Sequence, residues 1–101
     1  MIWPVIVRPL AEQDLREARD WYEQRQNGLG AEFLTAVDHA FQQIAEQPLM
    51  YPIVHGQLRR AVLHRFPYLI YFIAEPDRAV ILACLHSRRS PRIVQTRPHQ
   101  Q

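Results

Sequence analysis

Residues 58–86 read LRRAVLHRFPYLIYFIAEPDRAVILACLH, and the way this stretch divides decides the fold. Its three apolar runs, 58–64, 67–74 and 79–86, are rich in Val, Ile, Leu, Tyr and Phe, side chains that pack well on a pleated surface. Between the last two runs, Glu75-Pro76-Asp77-Arg78 has proline at the second position of a reverse turn, which its fixed φ favours. An antiparallel meander of three strands follows. The last two runs are apolar at both alternating positions, as expected of central strands with helices on one face and a partner or concave site on the other.

Upstream the period changes. Ala11, Leu15, Ala18 and Tyr22 form one stripe of an amphipathic helix running to about Arg25, with Glu12, Arg16, Arg19 and Glu23 on its wet side. Asn27-Gly28-Leu29-Gly30 breaks that helix. Leu29, Phe33, Val37, Ala40, Phe41 and Ile44 then mark a second helix to Gln47, which Pro48 stops. Two helices joined so tightly form a hairpin that needs a surface to cover. The opening IWPVIV (2–7) reads as a short strand, with Pro4 placing it at an edge or a strand start. PLMYPIVHGQ (48–57) reads as a loop by its prolines and glycine. SRRSPRIVQTRPHQQ (87–101) is polar, basic and interrupted by proline, and is expected to lie on the surface or to be partly disordered. The predicted fold is α+β, in the order β-α-α-β-β-β, with the helical hairpin on one face of a small, mainly antiparallel sheet.

The 101 residues are enough for one domain, and 48% of them are hydrophobic, enough to build a core. Cys84, the single cysteine, lies in the run AVILACL and reads as a small buried hydrophobe, so nothing calls for an oxidising compartment. The start MIWPVIVRP lacks a basic leader, and no apolar run approaches the roughly 18 residues of a membrane span, so a cytoplasmic protein is expected. Residues 1–50 carry eight acids against four arginines, whereas residues 51–101 carry eight arginines against two acids. Every cation is arginine, a planar donor fork suited to carboxylate or phosphate. That segregation points to an anionic partner for the second half.

The order of elements, with acidic helices and an arginine-rich sheet, resembles the RelE/ParE family of toxins. The resemblance spans roughly Val5 to Arg97 and rests on AEQDLREARDWYE (11–23), GLGAEFLTAVDHAFQQI (28–44), PLMYP (48–52), LRRAVLHRFPYLIYF (58–72) and LACLHSRRSPR (82–92). It implies a single toxin domain over 1–97 with a polar tail at 98–101, belonging to a type II toxin–antitoxin system. It also implies neutralisation by a cognate antitoxin in a hetero-oligomer, with no cofactor, no metal and no membrane. One branch of the family, RelE-like, cuts messenger RNA on the ribosome without a metal. The other, the ParE-like or plasmid-stabilisation branch, inhibits growth by binding DNA gyrase. The nuclease branch carries an arginine near the position of Tyr68 and a tyrosine near that of Val94, and this chain has neither. It keeps a basic residue after the last strand as Arg88, while Arg59 or Arg60 stands where a second-strand lysine would be. Leu85-His86 resembles the ParE-like branch, to which the chain is closer. A nuclease, or a non-toxic remnant that still binds antitoxin, are the alternatives.

Metal-free RNA cleavage needs a base for the 2′-hydroxyl, an acid for the leaving oxygen and cations for the charge developing on phosphorus. His64, Arg65, His86 and Arg88 are the candidates for such a set, and the competing reading makes both histidines strand-end residues bonded to backbone or solvent. Arg88, Arg89 and Arg92 form the densest cationic cluster, and with Arg60 they are the candidate target-binding residues. Trp21-Tyr22 reads as core and rim packing. The five histidines are scattered without ligand spacing, so no metal site is expected.

Overall fold

The computed structural model describes residues 2–97, so the expected polar tail at 98–101 lies outside the described residues. Strand β1 (Val5–Val7) runs through Arg8 into helix α1 (Pro9–Arg25), where Pro9 in the first turn gives up an N–H that would have no helical partner. Helix α2 (Leu29–Glu46) and a single 3-10 turn (Pro48–Met50) follow. Next come strands β2 (Ile53–His55), β3 (Leu58–Val62), β4 (Tyr68–Glu75) and β5 (Arg78–His86), then a short helix α3 (Arg92–Gln95). The sheet order is β1-β5-β4-β3-β2; β1 lies parallel to β5 and the other neighbours are antiparallel. The fold is α+β, with the hairpin packed on the sheet as expected. No helix among the described residues is long and apolar enough to cross a membrane.

Two segments differ from expectation. Residues 53–55, expected within a loop, form an edge strand, because Pro52 and Gly56, whose φ of +55° makes the turn into β3, bound the Ile-Val pair without interrupting it. Residues 92–95, expected in an irregular tail, form a helical turn. The Ser90 hydroxyl accepts the Arg92 N–H, and Ile93 and Val94 give the turn an apolar side, with Val94 only 1% exposed.

The hairpin turn has a specific chemistry. Gly28 sits at φ +88°, a left-handed conformation that costs glycine nothing. The Glu23 carboxylate of α1 accepts the N–H groups of Gly28 and Gly30 at 3.0 Å each, so a side chain of one helix caps the start of the next. Gly30 is buried against α1: a Cβ there would lie 2.8 Å from the Arg19 carbonyl oxygen.

The sheet buries both faces. Tyr22 of α1 with Phe33, Val37 and Ile44 of α2 covers Ile70, Phe72, Ile81 and Cys84. On the other face Leu58, Tyr71, Ile73, Val80, Leu82 and Leu85 pack together with Val94 of α3. The chain therefore covers part of that second face itself, where the sequence leaves it to a partner or a site. A bulge is built into β5: Ala83 opposes Tyr71 and Ile81 opposes Phe72, so Leu82 is the extra residue. As a result Leu82 and Ala83 both join the second face, and Cys84 returns to the helical one.

Alanine favours a helix over glycine by about 1 kcal/mol, but the Arg19 carbonyl is backbone and cannot yield, so overpacking decides the sign at Gly30. Gly30→Ala is expected to lower stability by about 1–3 kcal/mol in urea unfolding, and an unchanged or raised midpoint would show that the helices separate freely there.

Candidate functional site

The site grows from the end of β5. Strand β1 pairs only with Ala79–Ile81, so the same edge beyond Ile81 needs other partners. After the bulge, the Leu82 carbonyl and the Cys84 N–H are met by side chains. Asp14 Oδ2 accepts the Cys84 N–H at 3.0 Å, and Arg97 Nη1 donates to the Leu82 oxygen at 2.9 Å. Asp14 and Arg97 also bind each other in a two-pronged pair, at 2.7 and 3.1 Å. Their side chains are 10% and 14% exposed, whereas the other described ion pairs, Arg19–Asp20, Arg65–Glu32 and Arg78–Glu75, lie at the surface.

Past His86 the chain turns on its own hydrogen bonds. Ser87 N–H donates to the Pro67 carbonyl at 2.8 Å, Arg89 N–H to the His86 carbonyl at 2.9 Å, and Arg88 N–H to His86 Nδ1 at 3.1 Å. Arg88, Arg89 and Arg92 are exposed on this turn, and none has a carboxylate partner among the described residues. Arg60, opposite Tyr71 in β3, stands on the face that α3 covers. Arg59 does different work: its Nη1 donates to the Tyr51 carbonyl at 2.6 Å and secures the segment leading to β2.

A groove of about 550 Å³ lies between α1 and the end of β5, lined by Asp14, Glu17, Trp21, Tyr68, His86 and Arg89 among others. Its wall is aromatic. The Tyr68 ring lies 5.3 Å from His86, 5.3 Å from Phe33 and 6.0 Å from Tyr22, and Tyr22 stacks on Phe33 at 5.4 Å. Trp21, half exposed at the rim, carries the Arg25 guanidinium 4.2 Å from its ring centroid. Burial raises the pKa of the Tyr22 and Tyr68 hydroxyls, and burial beside Asp14 pushes the Cys84 thiol up to about 12. These groups stay protonated and uncharged at neutral pH.

The nuclease candidates divide between two places. His64 and Arg65 line a separate hollow of about 650 Å³ against α2, with Glu32, Thr35 and His39. Arg65 there has φ +76°, pairs with Glu32 at 2.9 Å and lies 5.2 Å from the Phe66 ring centroid. His86 belongs to the α1 groove, and Arg88 follows it on the turn. All four occupy one end of the sheet, where β3 ends, β4 starts and β5 ends, but they do not line one cavity.

Sequence reading missed Asp14 and Arg97. Asp14 lies three residues after Ala11 and four before Ala18, an acid set on the buried stripe, and that spacing was the available signal. Arg97 carried no comparable mark.

Comparison with known proteins places this architecture. The family described as "ParE toxin of type II toxin-antitoxin system, parDE" matches residues 5–91. Among solved structures, the chromosomal ParDE TA system from P. aeruginosa superposes with a TM-score of 0.62 at 22% identity, covering 84% of this chain and 96% of that one. No curated protein matches the chain.

The raised pKa values bear on stability at alkaline pH. The unfolded thiol loses its proton near its ordinary value of 9, while the folded one keeps it to about 12, so the stability tied to Cys84 is full below pH 9 and is lost as pH rises towards 12. Tyr22 and Tyr68 act with the same sign above their ordinary value of 10. Melting temperature is expected to fall from about pH 9 upward, less steeply in Cys84→Ala, and the native thiol is expected to resist alkylation at pH 8 until denaturant is added. A flat alkaline profile or rapid native labelling would contradict this.

Proposed function

The chain belongs to the ParE toxins of type II toxin–antitoxin systems, and from that membership we propose that it arrests growth by binding DNA gyrase, with Arg60, Arg88, Arg89 and Arg92 as the groups that meet the target. As a toxin of such a system it has an antitoxin partner and a toxin–antitoxin complex. In this reading residues 1–97 act as a single toxin domain, and its site of action is the cytoplasm.

The observation that carries the proposal is the arginine turn itself. Three guanidinium groups stand exposed, without carboxylate partners among the described residues, on a turn ordered by backbone hydrogen bonds. A preformed cationic surface loses little freedom on meeting an anionic partner, and arginine forks suit carboxylates. The two positions that the resemblance links to nuclease chemistry have other duties: Tyr68 packs among Tyr22, Phe33 and His86, and Val94 is 1% exposed beneath the sheet. Loss of one preorganised charge-stabilising donor costs about 2.7–4 kcal/mol of barrier, so a nuclease lacking both groups is too slow to stop growth. His86, with Nδ1 taken by the Arg88 N–H, orients the turn.

Purified protein is expected to inhibit gyrase supercoiling and to leave messenger RNA intact on programmed ribosomes. Arg88→Glu combined with Arg89→Glu is expected to weaken gyrase inhibition by about a hundredfold or more and to abolish growth arrest, while His86→Gln retains most of it. Codon-spaced, chelator-insensitive cuts that depend on His64 or His86 would establish the nuclease instead. A chain that is harmless on induction yet still binds antitoxin would be the non-toxic remnant.

A further inference from the structure

Helix α3 is four residues long, far below the length at which a helix holds itself together in water. Its place must therefore come from anchors. On the near side, the chain leaves β5 at His86 and is tied by the Ser87 N–H to Pro67. In the middle, Val94 is seated against the second sheet face. On the far side, Arg97 makes three hydrogen bonds, two to Asp14 and one to the Leu82 carbonyl. The arginine turn is thus strung between a strand end and an ion pair shielded from solvent, which salt screens far less than an exposed pair. Asp14 and Arg89 line the same groove, so the far anchor and the cationic surface border one hollow.

We propose that Asp14 and Arg97 are positioning residues of this toxin: their clasp fixes the C-terminal helix to the edge of β5 and thereby holds Arg88, Arg89 and Arg92 in the arrangement the target meets. This rests on reading the arginine turn as the target-binding surface. Removing either partner leaves the other charge largely shielded and uncompensated, which drives it towards solvent and draws the segment from Pro91 onward off the sheet. The strands and the hairpin core keep their own packing. Asp14 differs from Arg97 in one respect: asparagine in its place can still accept the Cys84 N–H, so Asp14→Asn removes the charge while keeping the strand edge capped.

The test uses the full chain as wild type, Arg97→Gln, Asp14→Asn, Arg97→Lys and the double variant Arg88→Glu, Arg89→Glu. Amide hydrogen exchange at Val94 and Arg97, whose N–H groups donate to the Pro91 and Val94 carbonyls, reports release of the helix, with amides of β4 and β5 as internal reference. Gyrase supercoiling and growth arrest report the toxin's action. In Arg97→Gln and Asp14→Asn, exchange of the backbone amides at positions 94 and 97 is expected to rise while the β4 and β5 amides stay protected, and half-inhibition to require about tenfold more protein. Arg97→Lys, which keeps the charge, is expected to fall between. Wild-type inhibition by a variant whose amides at positions 94 and 97 exchange rapidly would overturn the proposal, as would unchanged exchange in both charge-removing variants. Should Arg88→Glu, Arg89→Glu remain fully toxic, the target-binding reading of the turn fails instead, and exchange still tells whether the clasp holds the helix.

Discussion

Strand β5 is buried on both faces from Ala79 to Leu85, so each of its backbone groups has to find a partner away from water. Strand β4 satisfies one side along its whole length. The other side is shared: β1 serves the first part, and at the bulge the Asp14 carboxylate takes the Cys84 N–H while the Arg97 guanidinium takes the Leu82 carbonyl. The bulge re-aims the backbone, the re-aimed groups call for charged side chains, and those side chains join α1 to the C-terminal segment. Helix packing, the second face and the arginine turn all answer to that one strand.

Much of this was legible in the chain. The alternation lost in 67–86 marked central strands, and the 3–4 spacing of Ala11, Leu15, Ala18 and Tyr22 marked α1, because burial of a face imposes these periods directly on side-chain chemistry. Strand β2 escaped because three exposed residues at an edge bury too little to impose any pattern. Helix α3 escaped because its order comes from Val94 and Arg97 finding distant partners, and nothing within residues 92–95 records that. The candidate site was partly visible: the density of arginine after β5 singled out the turn, while the clasp behind it joins residues 83 positions apart.

The two branches of the family sharpen what a shared fold can and cannot say. Tyr68 and Val94, which the sequence resemblance sets against a cation and a phenol of the nuclease branch, are both given to packing here. Likewise Arg65 is engaged with Glu32 and Phe66, and Arg59 with the Tyr51 carbonyl. Of the eight arginines in the second half, Arg88, Arg89 and Arg92 are the ones left exposed without a carboxylate partner among the described residues. Charge count alone is a poor guide to a surface; what each guanidinium already holds is the better one.

The two ends of the described chain meet at β5: Val5–Val7 pair with Ala79–Ile81, and Asp14 waits for Arg97. A ribosome adds residues one end first, at about 5–20 per second, so the hairpin emerges long before the strand it is to cover. Contacts between such distant residues form late, after the intervening chain has been ordered. A chain stalled or cut short before Arg97 therefore carries the acidic hairpin without the closed sheet edge or the fastened arginine turn. Synthesis itself therefore orders the construction of the molecule: the hairpin is available early, and the β5 edge and the turn beyond it can be fastened only once Arg97 has emerged.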